Sequence, residues 1–517
     1  MSVANGYLGI NVAAVGPFFE LDVAVSGDVI NGWPLFDRRQ TFATIAGFYD
    51  QQPTTNGTNF EWLNQYGGES VISGVPHWSG LVVVLSNGAY LSATVDNATI
   101  SNFSTMLDMK GGVMTWEYTW SPANANSLSF QIEYTMFAHR YYVNQGVVHL
   151  QITPSSDCNV TIANVIDGTS AVRTDFVGSG TDGQAIYTAV KPNGVNVTAY
   201  IYAAMQGSAG VDASSLKMVS SAPYLGANDS SIAQTASASL KAGQTTTVTK
   251  FVGGASTDAF QDAKGTARSA CMSAMKAGYN QSLVLHAAEW AVVFREDSVD
   301  DYSFPQNDTL PSDPNIIEQQ IVAVANPYYL LQNTVSADAV HAVGGAPIDT
   351  NSIPVSGLGS ESYAGLIFWD AEIWMQPGLV AAFPDAAKQI ANYRVVRYKQ
   401  ALANAQTAFT SSKNQTGRFS ADAAVFSWTS GRTGNCTGTG PCFDYEYHIN
   451  GDIAQEFTNY LVVTGDTQFF KNSLFPIYNS IATFYSEVLD KNGSYWALTN
   501  MTDPVSICRK WTIKSLL

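Results

Sequence analysis

Two segments of the chain combine acids with aromatic side chains in a way that suits carbohydrate chemistry. The first, Glu361 to Pro377, reads ESYAGLIFWDAEIWMQP, with Asp370 and Glu372 inside an apolar run among Phe368, Trp369 and Trp374. A flat aromatic face covers the C–H surface of a sugar while carboxylates take its hydroxyls, which is the composition of a saccharide pocket. The same spacing also fits an aspartate capping an ordinary core helix. The second segment, Phe426 to Ala454, reads FSWTSGRTGNCTGTGPCFDYEYHINGDIA. There a Gly-rich loop enters a helix, and Asp444, Glu446, His448, Asn450 and Asp452 alternate with Tyr445, Tyr447 and Ile449. So many acids are tolerated near a core only when they serve a ligand or one another.

Other motifs are dismissed by context. Gly178 to Gly183, GSGTDG, satisfies G-x-G-x-x-G, but QAIYTAV after it reads as a strand, so a hairpin loop is expected in place of a dinucleotide site. The five cysteines, Cys158, Cys271, Cys436, Cys442 and Cys508, match no zinc spacing. Cys436 and Cys442 close a short loop that suits a disulfide in an oxidising compartment, with two free thiols as the alternative. No cofactor is indicated.

The elements that must position these segments change character along the chain. Before about residue 255 the period is two: Leu128, Phe130, Ile132, Tyr134 and Met136 alternate, as do Val148, Leu150 and Ile152. Asn87-Gly88, between two apolar runs, suits a type I′ hairpin turn. Many strands without helical periods between them predict a large antiparallel sandwich. Asp262 to Phe294 then reads as helix. A stripe of Ile317, Ile321, Val324, Tyr328 and Leu331 follows Asp313 as N-cap and Pro314 at the first helical position. Asp385 to Thr407, free of Gly and Pro, predicts a second long helix. Ile453, Phe457 and Tyr460, closed by Gly465, predict a third, and Ile477, Ile481, Phe484 and Val488 a fourth.

Composition bounds the function. The 517 residues hold 25 Lys+Arg against 42 Asp+Glu, a net charge of −17, and that field repels nucleic acid and anionic lipid. Only 13% of residues are charged but 46% are hydrophobic, which excludes a disordered chain. No apolar run approaches the roughly 18 residues of a membrane span, and the first residues lack a signal peptide's pattern. Twelve N-x-[ST] sequons, at Asn56, Asn97, Asn102, Asn159, Asn196, Asn228, Asn280, Asn307, Asn414, Asn435, Asn492 and Asn500, nevertheless fit a glycosylated protein of the secretory pathway that begins upstream of Met1.

The blocks NGYLGINVAAVGPFFE, INGWPLFDRRQTFATIAGFYD, GGESVISGVPHWSG, LDMKGGVMTWEYTW, FWDAEIWMQP, SWTSGRTGNCTGTGPCFDYEYHINGDIA and LTNMTDP, in that order, resemble glycoside hydrolase family 65 and within it the fungal acid α,α-trehalases. The resemblance covers residues 1 to about 504. It implies a multidomain β + α chain: a galactose-mutarotase-like antiparallel β-supersandwich over 1–258, a helical linker over 259–312, part of an (α/α)6 barrel over 313–504, and a divergent tail over 505–517. It further implies an extracellular or vacuolar enzyme that hydrolyses trehalose, or a related glucose disaccharide, to two glucoses with inversion.

Matched position by position, Trp369 and Asp370 would hold glucose in the −1 subsite, with Glu372, Trp428, Arg432, Glu446 and His448 nearby in the cleft. RFSADAAVFSWTS departs from the family's Gly-Ala-rich approach to that loop. The larger departure is at the general acid, a glutamate in the family's D-P-D-E-Y segment, whose position here is taken by Ser506. Inversion needs two carboxyls roughly 6.5–9.5 Å apart, one to protonate the leaving oxygen and one to activate water. The chain is therefore expected to be cut short at both ends and inactive as written. A disaccharide phosphorylase of the same family and a non-catalytic sugar-binding fragment are the alternatives.

Overall fold

The structure is a computed structural model that describes residues 2–21, 40–51, 70–123, 125, 128–295, 297–406, 419–435, 437, 446–503 and 506–513. They form two compact units: Met1–Phe48, Ser73–Ile348 and Ser356–Glu361 make the first, and Tyr49–Ile72, Asp349–Val355 and Ser362–Leu517 the second.

The first unit is an antiparallel β-sandwich. Its larger sheet has eight strands in the spatial order Thr174–Asp182, Ala185–Pro192, Ala199–Gly207, Thr246–Ser256, Gln145–Pro154, Phe130–Ala138, Val113–Trp120 and Ile100–Asp108. Its partner has five, in the order Val211–Val219, Ile232–Leu240, Cys158–Ile166, Leu81–Leu85 and Tyr90–Leu91, and a small three-stranded sheet is built from Ser2–Ala4, Leu8–Asn11 and Ala43–Ile45. Alternation sorts the faces: Met114, Trp116, Tyr118 and Trp120 are buried while Glu117 between them is exposed. Inward residues of both large sheets, Leu81, Trp116, Phe130, Ile162 and Ala236 among them, share one core. GSGTDG is part of a hairpin, as its context required.

Helix α1 (Ala263–Val293) lies on this sandwich through small residues, Ala267, Cys271 and Ala274. It passes so close to the strand Thr246–Ser256 that a Cβ on Gly253 would stand 1.9 Å from the Ala267 carbonyl oxygen. Helices α2 (Pro314–Leu331) and α3 (Ala337–Ala342) belong to the same unit, tied to it by the buried Arg140, whose Nη1 donates to the carbonyls of Leu331 at 3.0 Å and Thr334 at 2.6 Å. Asp313 caps α2 as expected, accepting from the Asn315 amide at 2.9 Å.

Two expectations need correction. Of the α2 stripe only Tyr328 and Leu331 are buried, and Ile321 is 53% exposed, because the helix packs only through its last turns. At Asn87-Gly88 a hairpin forms, but positive φ is confined to Gly88. The Gly88 amide donates to the Leu85 carbonyl and the Leu85 amide to that of Ala89, so the loop is longer than a two-residue type I′ turn.

The second unit is helical, with α4 (Gln376–Leu379), α5 (Pro384–Asn404), α6 (His448–Thr464), α7 (Thr467–Phe469) and α8 (Phe475–Val488). Helix α5 packs on α6 and α6 on α8, and Gly465, at φ 69°, ends α6 in the left-handed conformation that favours glycine. Residues 490–513, which carried no strand signal, form a three-stranded antiparallel sheet of Asp490–Asn492, Tyr495–Asp503 and Ser506–Ile513. Ser506 opens the last strand opposite Asp503. Among the described residues no helix is long and apolar enough to cross a membrane.

Candidate active site

The site is assembled in the second unit by three short backbone segments. Tyr363, Ala364 and Gly365 all have positive φ (51°, 57° and 63°), a costly run for the two non-glycine residues. Ala364 and Gly365 are buried, and a Cβ on Gly365 would lie 2.5 Å from Ile72, so packing holds the strained turn in place. Directly after it, Ile367 pairs with Ser430 in an isolated antiparallel bridge, the amides donating at 2.9 and 3.1 Å. That bridge joins the FWD segment to the SWTSGR loop. Tyr393 of α5 braces the junction, its hydroxyl bonded to Ser430 Oγ and donating to the Gly431 carbonyl at 2.9 Å.

The third segment is the start of α6. No side chain caps it. Instead the Tyr485 hydroxyl of α8 donates to the Tyr447 carbonyl at 2.8 Å and accepts from the Gly451 amide at 3.1 Å. Asn450 Oδ1 accepts from the Phe426 amide at 2.9 Å, which locks the SWTSGR approach to the helix.

These supports bring the aromatic and acidic groups together. Phe368 meets Trp428 edge to face at 5.5 Å, Trp369 meets His448 edge to face at 5.5 Å, and Trp369 lies 5.7 Å from Trp374, itself 65% exposed. Asp370 stands at the first turn of a wide π-helical segment, Ala371–Met375, where Gln376 donates to the Ala371 carbonyl. Its half-buried carboxyl is pushed up by desolvation and has no ion-pair partner among the described residues. The buried indole N–H of Trp428 likewise lacks a partner among the described residues. A half-buried carboxyl beside exposed aromatic surface can take the hydroxyls and C–H face of a sugar ring.

His448 is clamped from both sides. Its Nδ1 lies 2.6 Å from Asp452 Oδ2, and its Nε2 lies 3.2 Å from Glu446 Oε2, an ion-pair distance outside hydrogen-bond angles. Burial pushes the imidazole down, but the hydrogen bond to Asp452 and the two carboxylates outweigh it and hold the group up at about 9. It is thus a fixed imidazolium throughout the acid range. Arg432, partly buried, follows the bridged Ser430 by two residues.

Glu372, expected near the cleft, is fully buried, and its Oε1 accepts from Arg394 Nε at 2.6 Å. The π-helical turn rotates it inward while Asp370 stays at the edge. Sequence reasoning missed the charged groups around this buried acid, its partner Arg394 and the like-charged Glu456. Glu456, fully buried with no hydrogen-bond partner for either carboxylate oxygen among the described residues, sits at the apolar positions of α6 between Ile453 and Tyr460, a spacing that was readable. Cys436, Cys442 and Asp444 lie outside the described residues, as do Asn56 and Asn414 and the side chains of Asn500 and Ser506.

An antiparallel sandwich followed by a helical unit defines a multidomain β + α chain. The description "Glycosyl hydrolase family 65, N-terminal domain" matches residues 1–293, and that family's central catalytic domain matches 340–505. The chain belongs to glycosyl hydrolase family 65. It is 61% identical to a cell wall acid trehalase of Arthroderma benhamiae and 56% identical to an acid trehalase of Emericella nidulans, each over 97% of this chain and 48% of the relative. The chain thus spans about half the length of these relatives. A solved structure, a provisionally assigned kojibiose phosphorylase from the human microbiome, shares the fold at a TM-score of 0.74 and 15% identity, covering 97% of this chain and 59% of that one.

Proposed function

We propose that this chain is part of an extracellular acid trehalase that hydrolyses α,α-trehalose to two glucoses, and that Asp370 and Trp369 hold one glucose ring. The observation that carries the reading is the half-buried Asp370 carboxyl next in sequence to Trp369, without an ion-pair partner among the described residues, in a chain 61% and 56% identical to two acid trehalases. Trp428, through Phe368, and His448, through its ring contact with Trp369 and its clamp to Glu446, would stand nearby. Ser506, which stands in place of the family's catalytic glutamate, falls just outside the stretch matched by the catalytic-domain model. A serine cannot act as an acid on a leaving sugar, so hydrolysis by this chain is expected to be about 10²–10⁴-fold below that of an enzyme with the glutamate, while sugar binding persists.

Two measurements test this. Calorimetric titration with trehalose should show binding that Asp370→Ala weakens roughly 10–100-fold, the loss of about 1.5–3 kcal/mol from a charged hydrogen bond. Glucose release at acidic pH, with and without added phosphate, reads turnover. Unchanged binding in Asp370→Ala refutes the sugar site, and full activity in the chain as it stands refutes the role given to Ser506.

A further inference from the structure

Away from this site, the solvent face of the eight-stranded sheet carries two polar clefts that share Gln151, and a sequon asparagine stands in the wall of each. The larger has a volume of about 590 Å³, within the roughly 300–1,000 Å³ of small-ligand pockets. Residues 277–280 of α1 form one wall, at the point where Gly278, with φ 79° and ψ 171°, breaks the helix. Asn280, exposed, begins the sequon Asn280-Gln281-Ser282 there.

The lining selects a class of occupant. Among the described residues no acid, lysine or arginine lines this cleft; it presents Gln151, Gln206 and Thr247 as donors and acceptors. Tyr279 stacks on His149 at 3.9 Å and 8° and adds an apolar ring. Burial lowers His149 to about 4, so it too is neutral above that pH. Amides, hydroxyls and an aromatic wall without charge suit a neutral saccharide and give an anion nothing to pair with. The smaller cleft, of about 320 Å³ around the sequon residue Asn102, repeats the arrangement but includes Glu117 and Glu133.

We propose that the N-linked glycan carried by Asn280 lays its first sugar residues in this cleft. The covalent link supplies the sugar at high effective concentration, so weak contacts suffice to seat it. The glycan would then brace the broken helix against the sheet. This rests on the secretory-pathway reading.

The test is secretion of the chain from a yeast host, glycopeptide mass spectrometry, and release of glycans by endoglycosidase from the native protein. Asn280 should be occupied, and its glycan should be released about tenfold more slowly than those of Asn97 and Asn307, with equal rates after denaturation. Gln206→Ala, at an exposed position where folding is not at stake, and Tyr279→Ala should each speed release at Asn280 without changing its occupancy. A bare Asn280 beside occupied sequons overturns the proposal, as does release at the rate of the other sites. A chain with no occupied sequon overturns instead the compartment reading beneath it.

Discussion

Asp452 contributes to the site through another residue. It fixes His448 Nδ1 at 2.6 Å, which sets the ring plane against Trp369 and points Nε2 toward Glu446. The sign of the linkage follows from the raised value. A histidine held at about 9 stabilises the fold fully below its unfolded value near 6.5, and that contribution is lost as pH rises through 9. Asp452→Asn removes the stronger of the two carboxylate partners. The imidazole midpoint, followed by NMR, should fall by at least about one unit toward the ordinary 6.5. A midpoint unmoved from 9 would mean that Glu446 alone holds the charge. Asp452 was visible in the sequence as one of five alternating polar residues, but its role was not, because which polar groups face each other depends on where α6 begins.

At the scale of elements, α6 carries a group that its amphipathic pattern does not explain. Glu456 and Glu372 are both fully buried beside Arg394, the one cation acting on Glu456 among the described residues, and one cation cannot neutralise two carboxylates. Desolvation, then the charge of Glu372, pushes Glu456 well above the usual carboxylate range. The folded state therefore holds a proton that the unfolded chain releases. Stability from this group is complete below about pH 4.5 and declines as pH rises toward the folded value. Thermal melts between pH 4 and 8 should show the decline, and Glu456→Gln, which keeps the neutral shape, should flatten it. Arg394→Met, by contrast, strands Glu372 without a partner and should cost about 3–5 kcal/mol. An unchanged pH slope in Glu456→Gln would place the proton elsewhere. The long helices and the sandwich were legible because their apolar periods are unbroken over many residues. The π-helical turn at 371–375 and the strained turn at 363–365 were not, since neither has a composition of its own and both are imposed by packing.

Over the whole molecule, charge is scarce and unbalanced. With 42 acids against 25 bases and a pI near 4.6, the chain carries a strong negative charge at pH 7 and almost none in the acid range of its proposed work. Proteins near zero net charge associate, and this one also exposes apolar side chains such as Ile321, Val462 and Phe475. Something besides charge must keep it dispersed there. Of the nine sequon asparagines whose surroundings are described, eight are exposed and Asn435 is partly so. Hydrated glycans at those positions would keep copies apart by bulk, with no dependence on pH. Light scattering should therefore show the glycosylated chain clear at both pH 7 and pH 4.6, and the enzymatically deglycosylated chain clear at pH 7 but turbid near pH 4.6. If the stripped chain stays clear at its isoelectric point, the glycans are not what disperses it, and the exposed apolar residues must be too scattered to drive association.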